Sequence, residues 1–234
     1  MVQLSEIFEK CEKLSLKCSY DVNKQTFSSR VVIDFEQLRV DVDEVTIPNI
    51  DVINKVCEEF KLTQRECNEY VLHNLEHEKL HGVVGTESLR NCLSEYAMLR
   101  SLNRVGGLII NFCEDVEIER RLERKYDPII HYIDCTLIEE LSPRDIEEAT
   151  SSKNLFDKLK FAITLAVEGV RCNLERHVEE IVDTSNIDTE LKELMKKLVS
   201  VGVKVRNRDV SVCECLREVV KLVVKYLKDS FKHT

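Results

Sequence analysis

Residues Val71 to Gly85, VLHNLEHEKLHGVVG, carry histidines at 73, 77 and 81 and a glutamate at 78. A helix turns ~100° per residue, so His77 and His81 fall on one face a single turn apart and both imidazoles can reach one cation. HEKLH fits the HExxH pattern, in which Glu78 sits close enough to hold a metal-bound water as general base without ligating the ion itself. Tyr70, Asn74, Cys67, Leu72 and Leu75 share the histidine side, whereas Glu69, Glu76, Lys79 and Asn68 lie away from it. The histidine stripe is therefore expected to point inward. His73 lies about 12 Å along the axis from His81 at ~1.5 Å per residue, too far for all three to bind one ion. It is expected to pack, or to support a ligand by a hydrogen bond.

A catalytic zinc takes three protein ligands and leaves its fourth position to water. No histidine stands six residues after His81, where Glu87 is found, so the third ligand must come from elsewhere. The segment LIINFCEDVEIERRL offers Glu114, Asp115, Glu117 and Glu119. On a helical projection Leu108, Phe112, Val116, Ile118 and Leu122 form an apolar arc that contains Asp115 and Glu119, with Glu114 at its edge. Burying carboxylates costs several kcal/mol unless a cation or donors compensate, and a metal would do so. Asp115 and Glu119, one turn apart, would allow one to ligate and the other to orient a histidine N–H from behind. The competing expectation for these acids is an internal ion pair with an arginine.

The elements that must position these groups are read from periodicity and punctuation. An opening helix spans roughly Leu4 to Leu16, and RVVIDFEQLRVDVDEVTIPN alternates as strands do, with Pro48 at an edge or terminus. DVINKVCEEF reads as a short helix, and Thr63 to Glu66 forms a capping box that opens the histidine helix. Gly82 and Gly85 suggest its end, ESLRNCLSEYAMLRSLNRV reads as another helix, and Gly106-Gly107 as a break before the acidic helix, which Asp127-Pro128 stops. Beyond it lie an extended piece, IIHYI, a helix start at Ser142-Pro143, one long amphipathic helix over Asn154 to Val182, and two more helices. The last is opened by a second capping box, Ser211 to Glu214. The fold class expected is α+β and predominantly α-helical, with a small N-terminal sheet.

Composition bounds the function. With 34 Lys+Arg against 43 Asp+Glu the formal charge is −9, which argues against nucleic acid as a partner. No apolar h-region follows Met1 and no apolar run reaches the ~18–20 residues of a membrane span, so a soluble, cytoplasmic protein without a membrane partner is expected. Ten cysteines match no zinc-knuckle spacing. They are expected either as buried small hydrophobes or as disulfides of the kind found in hyperthermophile intracellular proteins, an origin that the Glu, Lys, Val and Leu content also suggests.

HEKLH followed by NFCEDVEIERRLERKYDP resembles the HExxH plus N-x-x-E-D-x-x-I-E arrangement of gluzincin-like metallopeptidases, over roughly Thr63 to Pro128. Some of these are fused to von Willebrand A domains and work beside MoxR-type ATPases, so the resemblance implies an ATPase partner. No von Willebrand A segment follows here, and 32 residues separate His81 from Glu114. The resemblance implies a zincin-like metallopeptidase domain over 1–134 and leaves 135–234 as a C-terminal helical subdomain. It also implies Zn2+ held by His77, His81 and a ligand from the Glu114/Asp115 pair, and Glu78 as base. The expected activity is zinc-dependent hydrolysis of a peptide or protein substrate, which would align by strand addition along EVTIP; His131, Tyr132, Tyr126 and His177 are the candidate oxyanion donors. The alternative is a non-catalytic, metal-stabilised scaffold or interaction protein.

Overall fold

The computed structural model describes residues 1–123, 125–126, 128–152 and 154–230, with backbone alone at 100, 103, 128, 131, 132, 134 and 137. The fold is α+β and predominantly helical, with a three-stranded sheet near the N-terminus. It divides into two units, Met1–Arg90 with Arg121–Ile133, and Asn91–Arg120 with Asp134–Thr234. Residues 91–120 thus group with the C-terminal helices. No helix among the described residues is long and apolar enough to cross a membrane.

In the first unit, helix α1 (Leu4–Lys13) stops short of Leu16 because Ser15 adopts a left-handed backbone, φ 58°, and Leu16 N–H bonds back to the Cys11 carbonyl. Cys11 is also tied to Cys18 by a disulfide. Cys18 opens β1 (Cys18–Tyr20), a strand too short to show any alternation in sequence. β2 (Ser28–Asp34) and β3 (Arg39–Ile47) pair antiparallel, with Arg30 opposite Glu44 and Val31 opposite Val42, so a bulge shifts the register between them. The strand order is β1-β3-β2, with β1 parallel to β3. This corrects the expectation that EVTIP is an edge strand. β3 is central, and its Val45, Thr46 and Ile47 are covered by β1 on one side while Val45 and Thr46 face β2 on the other.

Helix α2 (Ile50–Glu59) is capped by the Asn49 side chain, and a disulfide from Cys57 to Cys67 links it to α3 (Gln64–Asn91). The Thr63–Glu66 capping box opens α3 as expected. Its end differs: the helix runs through Gly82 and Gly85 to Asn91, with neither glycine at positive φ. Gly82 serves close approach instead. A Cβ there would lie 3.3 Å from Val42 Cγ2 and 3.4 Å from the Val40 carbonyl oxygen. One turn on, Thr86 Oγ1 accepts the Val40 N–H at 2.9 Å and donates to the Val40 carbonyl at 3.1 Å. The core beneath α3 joins Ile7, Val45, Ile47, Ile53, Val71 and Leu75.

In the second unit, α4 (Leu93–Ser101) and α5 (Asn103–Leu122, counted here through Arg120) replace the helix expected across residues 87–105. The break falls at Leu102, and Gly106-Gly107 lies inside α5. α6 (Pro128–Glu139), whose residues through Ile133 belong to the first unit, is helical where IIHYI reads as extended, a five-residue run too short for periodicity to separate the two states. α7 (Pro143–Thr150) starts at the Ser142 cap. The long helix expected over 154–182 is two, α8 (Leu155–Arg171) and α9 (Glu175–Thr184). Asn173 at φ 57° turns the chain left-handed between them, and Leu174 N–H reaches back to the Gly169 carbonyl at 2.8 Å. α10 (Thr189–Arg206) and α11 (Val212–Ser230) follow, the latter opened by its Ser211–Glu214 box. All ten cysteines are paired, the remaining bonds being Cys92–Cys213, Cys113–Cys215 and Cys135–Cys172.

The two neighbouring glycines of α5 should respond to alanine with opposite signs. At the buried Gly106 a Cβ would collide with the Leu99 backbone carbonyl, whereas at Gly107 it meets nothing within 4 Å. Denaturant unfolding is expected to show Gly106→Ala destabilised by ~1–3 kcal/mol or more, and Gly107→Ala stabilised by ~0.5–1 kcal/mol.

Candidate metal centre

On α3 the rings of His77 and His81 stand 5.2 Å apart, centroid to centroid, at 72° to each other. His81 is buried and His77 half-buried, so the stripe faces inward. His73, a turn earlier, is 1% exposed and packs edge-on against Tyr126 at 5.1 Å. Burial, and then the neighbouring Glu76 carboxylate, push the Tyr126 hydroxyl far above the usual phenol range, so it stays protonated. Glu76 also takes the Lys125 ammonium at 2.5 Å, and Glu87 takes the Arg121 guanidinium at 2.6 Å. The acids flanking the histidine pair thus hold the last turn of α5 and the residues after it.

α5 sets its carboxylates in different ways. Glu117 pairs bidentately with Arg120 at 2.7 and 2.6 Å. Glu114, 4% exposed, accepts the hydroxyl of Tyr96 on α4. Glu119, equally buried, has Arg171 Nε of α8 at 3.5 Å, which is the arginine pairing weighed against a metal role. Asp115, half-buried, joins the histidines: His77, His81 and Asp115 each offer one ligand atom, and these atoms lie within 4.8 Å of one another. Of the Glu114/Asp115 alternative, Asp115 is the residue in this group.

The donor set fits a divalent metal. Bonds of ~2.0–2.2 Å to a common centre would keep ligand atoms about 3.5 Å apart, a small side-chain adjustment from the observed spacing. Two imidazole nitrogens and one carboxylate oxygen suit zinc and also other first-row ions, so the arrangement supports a metal ion without fixing which one. Glu78, half-buried and next to His77, makes no hydrogen bond or ion pair among the described residues.

Of the candidate oxyanion donors, Tyr126 lies by His73 in the first unit and His177 on α9 in the second, while the side chains of His131 and Tyr132 are outside those described. Tyr96 was not a candidate. It stands 18 residues before Glu114 on a separate helix, so no periodicity could have joined them. Compared with known proteins, the chain matches no family model, no curated protein and no solved structure.

The two adjacent acids can be separated by competition with a chromophoric chelator. Asp115→Asn should weaken metal binding by more than the ~10–100-fold that loss of an outer hydrogen-bonding partner costs, and Glu114→Gln by no more than that. The reverse order would make Glu114 the ligand.

Proposed function

We propose that the chain is a zinc-dependent metallopeptidase with a zincin-like core, in which His77, His81 and Asp115 hold the ion and Glu78 is the general base. The observation that carries this reading is the grouping of those three ligand atoms, with the residue after His77 a half-buried glutamate that makes no hydrogen bond or ion pair among the described residues. A bound zinc ion would polarise a carbonyl and make water a nucleophile at neutral pH. The protein's own part is proton transfer. An acid tied up in an ion pair would need to break it before accepting a proton, and among the described residues Glu78 has no such tie. Its carboxylate can take the proton of the attacking water and return it to the leaving amine.

Two imidazoles on one face of a continuous helix cost little to orient, because the backbone already sets their spacing. Gly82, directly after His81, keeps that stretch of α3 against β3. The same contact, with β1 covering the far end of β3, removes strand addition at EVTIP from the proposal. The substrate class remains peptide or protein.

Metal analysis and a peptide library test the reading together. Wild-type protein purified without chelator should carry close to one equivalent of zinc and cleave peptides. Glu78→Gln should keep the metal and lose about 100–10,000-fold in kcat, whereas His77→Ala should lose both metal and cleavage. Metal without cleavage in the wild type would leave the non-catalytic, metal-stabilised scaffold as the function, and less than about a tenth of an equivalent of zinc would end both readings.

A further inference from the structure

Cys213 and Cys215 flank Glu214 in the first turn of α11, and each closes a long-range disulfide. Cys92–Cys213 spans 121 residues and Cys113–Cys215 spans 102. Their distal ends fall at two informative places. Cys92 is the residue directly after α3, the histidine helix, and Cys113 lies two residues before Asp115 on α5. One three-residue motif therefore holds covalently both the end of the helix that carries two ligand histidines and the helix that carries the acid.

The bond at Cys113 bears on the direction of Asp115. Two residues along a helix turn it by ~200°, so a covalent anchor at 113 fixes the rotation of α5 and aims residue 115 to the opposite side. A rotation of α5 by one residue's angle would exchange Asp115 for Glu114 or Val116. The hydrogen bond from Tyr96 to Glu114 and the approach of Arg171 to Glu119 add to this setting but are non-covalent. The sulfurs differ in access: Cys113 and Cys215 are 0% exposed and Cys92 1%, whereas Cys213 is half-buried. Attack on the motif starts at Cys213.

We propose that thiol–disulfide exchange at Cys213-Glu214-Cys215 governs occupancy of the His77/His81/Asp115 site, the oxidised motif holding the metal tightly and the reduced motif weakly. This rests on the metal-binding reading above and adds its regulation. The reductant is a dithiol. Its thiolate attacks Cys213, expels the Cys92 thiolate and forms a mixed disulfide, which its second thiol resolves. Two electrons pass per bond, leaving two protein thiols and one oxidised reductant. Cys113–Cys215 opens next by the same steps, and α5 loses its covalent anchor.

The test compares zinc affinity, by chelator competition, in oxidised wild type and in paired alanine variants, with helical circular dichroism recorded for each. Cys113→Ala/Cys215→Ala should bind zinc at least about tenfold more weakly, as for loss of a ligand-orienting partner. Cys11→Ala/Cys18→Ala, remote in sequence from every ligand, should stay within about twofold. Equal affinity in a folded Cys113/Cys215 variant overturns the proposal. Should that variant fail to fold, stepwise reduction of wild type by a water-soluble phosphine, with trapping by alkylation, decides. Zinc release should track alkylation of Cys213 and Cys215 at retained helicity, and zinc that stays after both are alkylated, or leaves only as helicity is lost, overturns the proposal. A wild type that binds no zinc overturns the metal site itself, an outcome distinct from these.

Discussion

A carboxylate taken out of water must meet a donor or a cation, and α5 takes several of its carboxylates at least partly out. Glu114 and Glu119 are each 4% exposed, and Asp115 is half-buried between them in sequence. Glu114 meets the Tyr96 hydroxyl and Glu119 faces the Arg171 guanidinium. Asp115 is grouped with two imidazoles. A neutral imidazole can donate one N–H, a charged one can pair, and both can share a cation with the acid. Two rings presented at one-turn spacing use their lone pairs together only in the last case, which is why the metal reading explains the pair as well as the acid. One helix thus contains a neutral, an ionic and a proposed metal solution to the same desolvation problem.

That division of labour depends on which way α5 is turned. Glu114 and Asp115 are chemically almost alike, so their different roles come from ~100° of helix rotation and nothing else. Packing of the buried arc on α5, with the close approach of Gly106 to the Leu99 backbone, sets that rotation. Cys113 adds to this, being fully buried and bonded to Cys215. The ion pairs at and after the end of α5, Arg121 with Glu87 and Lys125 with Glu76, involve partly exposed groups and contribute at most about 1 kcal/mol each. They favour a position without enforcing it.

Much of this was legible in the sequence where the signal is local. The Thr63–Glu66 and Ser211–Glu214 boxes marked helix starts correctly, and HEKLH placed two histidines on one inward face. Helix ends were less legible, since a glycine can mark a terminus or a close approach: Gly82 and Gly106 do the second, while the turn between α8 and α9 uses Asn173. β1 is three residues long and exists only because β3 pairs with it. The pairings that span 37, 102 and 121 residues, and the choice between Glu114 and Asp115, depend on contacts between segments far apart in the chain, which no local pattern encodes. The acidic stripe was visible as an anomaly, but Arg171, which answers Glu119, lies 52 residues further on.

The same contrast between local and distant contacts orders the energetics of the site. His77 and His81 are placed by the helix that contains them, so their approach costs almost no chain entropy beyond forming α3. In the proposed site Asp115 would return across the 33 residues that separate it from His81, and the entropy of closing such a loop grows with the logarithm of its length. The end of α3, α4 and α5 reduce that cost by making most of the loop helical, and Cys92–Cys213 and Cys113–Cys215 reduce it further by bonding two points of this stretch to one motif. The proposed ligand that is hardest to place by local structure is the one with a disulfide two residues away. In the proposed site two ligands would be disturbed together by perturbing α3, whereas turning α5 by a single residue would remove the third along with the Tyr96–Glu114 bond and the approach of Glu119 to Arg171.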